Sequence, residues 1–185
     1  GVRPDLWIIH ADEIGISHEI LPAALHDRIP LYVLRMTQAG LRLLPLPLYD
    51  TTAISHPKDM GLGSSVRWRG YDLSDSSVTA GAVLSITLYW EAMAPVDRNW
   101  KTFIHVLDGR GEKVAQVDRV PLETLYPPIA WEPGSWLADQ YELPLPPDLP
   151  AGRYRLVFGW YSESERLRWE DGQDFQPLGE IDVRS

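Results

Sequence analysis

The stretch "PLETLYPPIAWEPGSW" (121–136) gathers Tyr126, Trp131 and Trp136 among four prolines and one glycine. Proline and glycine at that density give a rigid, irregular loop rather than a strand or helix. Flat aromatic rings on such a loop suit stacking against the apolar C–H face of a sugar ring. The plainer reading is that the loop closes one end of a β-sandwich with its own aromatic plug. A second group lies on "TFIHVLD" (102–108), where His105 shares a face with Phe103 and Leu107, while Ile104 and Val106 take the other. Gln116 and Asp118 alternate on the next strand-like run, and Asp139 and Tyr141 on a later one. A histidine in an apolar strand is most simply a satisfied core or edge residue. The alternative is a His, Gln, Asp and Tyr patch able to bind a sugar or a cation. The candidate carbohydrate-binding residues are therefore Tyr126, Trp131, Trp136, His105, Asp118 and Asp139.

No enzyme signature stands beside them. The serines have no Gly-x-Ser-x-Gly setting and no glycine loop could cradle a phosphate. Carboxylate pairs abound in an acidic chain and mean nothing without geometry. "HADE" (10–13) with His18 and His26 lacks the i, i+4 spacing that puts two histidines on one helical face. "EDGQD" (170–174) lacks the rest of a calcium loop. Solvated turns account for both, so the expectation is no metal, no cofactor and no catalytic residue. "APVDRN" (94–99) holds turn formers, with Asp97 and Arg98 a solvated pair.

These groups need elements to hold them. From Val66 onward the chain alternates with period two. "VLSITLYWEA" (83–92) puts Leu84, Ile86, Leu88 and Trp90 on one face and Ser85, Thr87, Tyr89 and Glu91 on the other. Trp90 is then core, and Tyr89 and Trp100 are the better candidates for exposed aromatics. "KTFIHVL" (101–107), the turn "DGRG", "EKVAQVDRV" (112–120), "SWLADQYEL" (135–143), "GRYRLVFGWYS" (152–162), "RLRW" (166–169) and "GEIDVRS" (179–185) follow. Short strands with turn signals at this spacing predict an immunoglobulin-like antiparallel β-sandwich over 66–185. Tyr154, just after the "PPDLPAG" corner, fits a tyrosine corner, whose hydroxyl ties back to upstream backbone.

The first fifty residues have a different grammar. "LWIIH" (6–10) reads as a buried strand, 17–28 as a short helix capped by Ser17 and limited by Pro22, and 29–49 as a hairpin around "QAG". The order is β-α-β-β, a small α/β unit. Residues 51–65, "TTAISHPKDMGLGSS", read as a linker.

Acidic residues outnumber basic ones 26 to 17, a formal charge of −9. That field repels phosphate backbones and argues against nucleic acid as a partner. The absence of cysteine removes disulfides and thiolate chemistry without fixing a compartment. No apolar run approaches the roughly 18 residues needed to cross a bilayer. The opening "GVRPDLW" reads as the start of a piece of something longer.

The second region resembles, as a whole, a β-sandwich module at the C-terminal end of multispanning membrane glycosyltransferases of the dolichyl-phosphate-mannose or lipid-carrier-dependent type in Chloroflexi. The phrases that carry this are "GYDLS", "LYWEA", "FIHVLD", "AQVD", "YPPIAWEPG" and "LPAGRYRL". "PDLWIIHADE" through "GLRLLPLPLYD" is similar to the stretch that follows the last membrane span in that family. The resemblance implies a parent enzyme taking a sugar from a polyprenyl-phosphate carrier. This chain would then lie on the extracytoplasmic side of a bacterial membrane, with an acceptor glycan or envelope polymer and the membrane domain of the same polypeptide as partners. The family's catalytic acidic residues belong to a membrane-proximal loop with no counterpart here, so none is carried over. Two alternatives stand beside it: a structural or protein-interaction module without ligand, and an independent hydrolase, which would need two carboxylates at glycosidase separation.

Overall fold

The computed structural model describes residues 54–123 and 127–184 in full, and the backbone of two earlier strands, β1 (Leu31–Thr37) and β2 (Gly40–Leu46). Those two form an antiparallel hairpin closed between Thr37 and Gly40, as expected around "QAG". The predicted strand at 6–10 and helix at 17–28 lie outside the described residues.

Nine strands build the sandwich: β3 (His56–Leu62), β4 (Val66–Leu73), β5 (Ser77–Thr79), β6 (Val83–Ala92), β7 (Lys101–Leu107), β8 (Lys113–Arg119), β9 (Trp136–Pro144), β10 (Gly152–Tyr161) and β11 (Gln176–Arg184). One sheet has the order β3-β4-β6-β9 and the other β5-β11-β10-β7-β8. All pairings within them are antiparallel except β5 with β11, which is parallel. After β4 the chain turns at Asp75, whose carboxylate accepts the Ser77 N–H at 2.8 Å, and joins the second sheet as β5. The fold is the expected immunoglobulin-like sandwich, and among the described residues it contains no α-helix.

Period-two alternation places the core. Leu84, Ile86, Leu88 and Trp90 of β6 meet Leu156, Phe158 and Trp160 of β10 in one buried cluster. Indole rings run through it: Trp131 packs edge-on to Trp160 (5.5 Å), Trp160 against Trp90 (5.0 Å) and Trp68 against Trp169 (5.7 Å). The Tyr154 hydroxyl donates to the Pro150 carbonyl at 2.8 Å, completing the tyrosine corner at the start of β10.

Two boundaries differ from the sequence expectation. Residues 56–62, read as linker, form β3, an edge strand on β4. "HPKDMGL" lacks alternation because its first four residues are exposed, and its proline, lysine and aspartate are what an unpaired sheet edge tolerates. The run 166–169 makes two isolated bridges, Tyr161 with Arg166 and Leu62 with Trp169, instead of a strand. It ties the end of β10 to β3 of the other sheet, and Trp169 is buried.

Candidate functional site

β7, β8 and β10 present one broad outer face. Their registers set residues in rows: Arg155, Leu107 and Lys113; then Val157, His105 and Gln116; then Gly159, Phe103 and Asp118. The β7–β8 pairing is fixed by its turn, where the Asp108 carboxylate accepts the Arg110 N–H at 2.9 Å and the Glu112 N–H at 2.8 Å. Ile104 and Val106 point into the core, leaving Phe103 and His105 outward with rings 4.7 Å apart. Phe103 is nonetheless only 2% exposed, because the Arg166 guanidinium lies over its ring at 4.7 Å. Gly159 makes room below: a Cβ there would stand 2.8 Å from the Phe103 ring and 2.6 Å from the Asp174 carbonyl.

Tyr161 ends the face, 6.1 Å from Phe103 and beside Asp118. Burial, then the Asp118 carboxylate, pushes its phenol up. His105 is half-buried, and burial holds its imidazole below the ordinary range; Lys113 adds to this while Asp118 opposes it. A neutral imidazole offers one donor and one acceptor. The Asp118 Oδ2 is buried with no hydrogen-bond partner. A neutral imidazole, a phenol bonded to the Asp118 carboxylate and the exposed Gln116 amide suit a hydroxylated ligand.

The six sequence candidates do not converge. His105 and Asp118 share this face. Trp136 lies on the opposite broad face of the sandwich, where Arg69 stacks on its ring at 5.0 Å. There Arg69 also pairs with Glu91 and, at 2.6 Å, with Asp59, which takes Arg67 at 2.6 Å. Trp131 is 3% exposed and sits in the tryptophan core, so the expectation of a stacking ring is corrected to the aromatic plug. Tyr126 lies outside the described residues. Tyr89 and Trp100, expected as exposed, are buried, with 6% and 3% exposure. Tyr89 donates to Asp72 at 2.6 Å, and Trp100 donates its indole N–H to Asp97 at 3.0 Å.

Asp139 belongs to a third place. It is fully buried and joins the edge strands of the two sheets: Arg119 of β8 donates to its Oδ1 at 2.7 Å, the Leu122 N–H at 3.2 Å, and the Tyr141 hydroxyl to its Oδ2. The Arg119 guanidinium lies 3.8 Å over the Tyr141 ring and also donates to the Gln140 carbonyl. Burial pushes the Asp139 carboxyl up against the pull of Arg119, and the Tyr141 phenol rises further. Leu122 and Glu123 turn the chain in left-handed conformations, φ 52° and 49°. This is a clamp on the sandwich edge, with no free acceptor for a ligand.

Tyr161 and Arg166 were not among the sequence candidates. Alternation places Tyr161 on the His105 face, but nothing in the sequence folds Arg166 back over Phe103. Among the described residues, no group of three or more histidine or acidic residues could hold a metal ion. No helix there is long and apolar enough to cross a membrane.

No family model and no curated protein matches this chain. Solved structures do. The C-terminal domain of Wzt is 16% identical, with a TM-score of 0.48, covering 72% of this chain and 83% of that one. A CARDB domain from Pyrococcus furiosus, solved with di-metal ions, is 9% identical at a TM-score of 0.38, covering 68% and 94%. The Pseudomonas fluorescens DNA glycosylase AlkC is 14% identical at 0.37, covering 66% of this chain and 31% of that one. Likeness at this level carries no argument about what the present chain binds or does.

Proposed function

We propose that the chain is a non-catalytic β-sandwich module that contacts a glycan or envelope polymer through the outer face of β7, β8 and β10. It would serve a bacterial membrane glycosyltransferase on the extracytoplasmic side. The parent enzyme and its location rest on the sequence resemblance. The contact face rests on one observation: the His105 imidazole, the Tyr161 phenol and the Asp118 carboxylate to which that phenol is bonded lie together on one outer strand face. The opposite face supports a scaffold role instead, since Asp59, Arg67, Arg69 and Glu91 satisfy one another.

Amide NMR titration with a panel of envelope oligosaccharides tests this. Saturable shifts are expected along β7, β8 and the end of β10. They should vanish in Tyr161→Ala and persist in Trp136→Ala. Shifts with no member of the panel, or shifts confined to the Trp136 face, would reject the reading.

A further inference from the structure

We infer that the ligand of the His105 face is an anionic glycan, a hydroxylated chain more than one ring long that carries carboxylate or phosphate. This rests on the glycan reading above and adds the ligand's charge. The protein as a whole carries −9, yet this face is ringed by cations. Arg155 and Lys113 flank Leu107 in one row, both exposed and, among the described residues, in no ion pair. The Arg155 guanidinium reaches the β7–β8 turn, 3.9 Å from where a Cβ on Gly111 would sit. Lys101 stands in the row of Tyr161 at the other end, also without an ion pair. Arg166 lies over Phe103 between them.

The turn itself brings Asp108 and Glu112 against Arg110, Lys113 and Arg155, two carboxylates to three cations, and the other neighbouring carboxylates are engaged. Glu180, beside Arg155 in register, is engaged by Arg153 at 3.5 Å, and Asp182 by the same arginine at 3.4 Å. Asp174 takes Arg166 at 3.3 Å, leaving that guanidinium half-exposed. Asp118 is the one carboxylate within the face, and it sits four residues of β7 away from the Arg155–Lys113 row. At strand spacing that is about 13 Å. One end of the face can therefore accept a hydroxyl while the other takes an acid group. A single sugar ring does not span that distance.

The test compares polygalacturonate, its fully methyl-esterified form and poly(glycerol phosphate) as ligands of the full chain, followed by calorimetry at rising salt. The Arg155→Gln, Lys113→Gln double variant changes only exposed side chains. At least one acid polymer is expected to bind, to weaken as salt screens the contact, and to bind the double variant about fivefold to tenfold less tightly. The polymer that binds tells carboxylate from phosphate. An ester that binds as tightly as the acid, or a double variant that binds like wild type, overturns the inference and leaves the glycan reading standing. Failure of both acid polymers to bind also overturns it, and the glycan reading then depends on the oligosaccharide titration alone.

Discussion

Replacing Arg119 with methionine should unmask the cost of burying Asp139. The substitution keeps an apolar stem over Tyr141 and removes the cation. The 2.7 Å bond to Asp139 goes, along with the donor to Gln140, while the Leu122 N–H and the Tyr141 hydroxyl stay on the carboxylate. Breaking a buried pair on one side leaves an uncompensated charge and costs about 3–5 kcal/mol, a large share of the roughly 5–15 kcal/mol that holds a domain folded. The cost should depend on pH with a defined sign. Burial already raises the Asp139 carboxyl in the folded wild type against the pull of Arg119. Without Arg119 it rises further. A carboxyl with a raised folded value contributes most stability below its unfolded value, near 3.9, and loses it as pH rises. The variant's deficit should thus be greatest near neutral pH and shrink to about 1–2 kcal/mol near pH 4, where only hydrogen bonds are missing. Urea unfolding of both proteins across that range reads it directly. Adding Asp139→Asn to Arg119→Met should recover about 2 kcal/mol at neutral pH. A deficit that is flat with pH, or largest at the acid end, would refute the idea that a buried charge is at stake.

Tyr154→Phe removes one hydroxyl bond to Pro150 and should cost about 0.5–1.5 kcal/mol, seen as a drop of a few degrees in Tm. The His105 imidazole, followed by NMR, should titrate below 6.5; Lys113→Gln should move it up and Asp118→Asn further down. Trp131→Ala empties part of the core and should cost about 3–5 kcal/mol by denaturant unfolding. Trp136→Ala gives up mainly its stack with Arg69 and should cost about 1 kcal/mol.

Much of the sandwich was legible because alternation is local. Every second residue of β6 from Leu84 to Trp90 is buried, and "DGRG" announced the β7–β8 hairpin that sets His105 beside Gln116. The proline corner announced Tyr154. β3 was illegible because an exposed edge strand has no apolar period. The aromatics failed for a different reason. Whether Trp131 or Trp100 is covered depends on how loops between distant strands fold over the sandwich end, which no short window records. Arg119 and Asp139 lie on edge strands of different sheets, so their meeting is a property of the packing alone. The candidate site was legible only in part: alternation grouped His105 with Asp118, while Arg166 reaches that face from a loop.

The linked indoles of the core have an optical consequence. Trp131, Trp160, Trp90, Trp169 and Trp68 form an unbroken series of ring contacts. Rings so close and so rigidly oriented couple electronically, so the folded protein should show an intense near-ultraviolet circular dichroism band that disappears with tertiary structure. The emission of these five indoles should come from a dry interior and hardly respond to anything arriving at His105. Light from this cluster would then follow folding and stay blind to ligand, so each can be followed in one sample without interference.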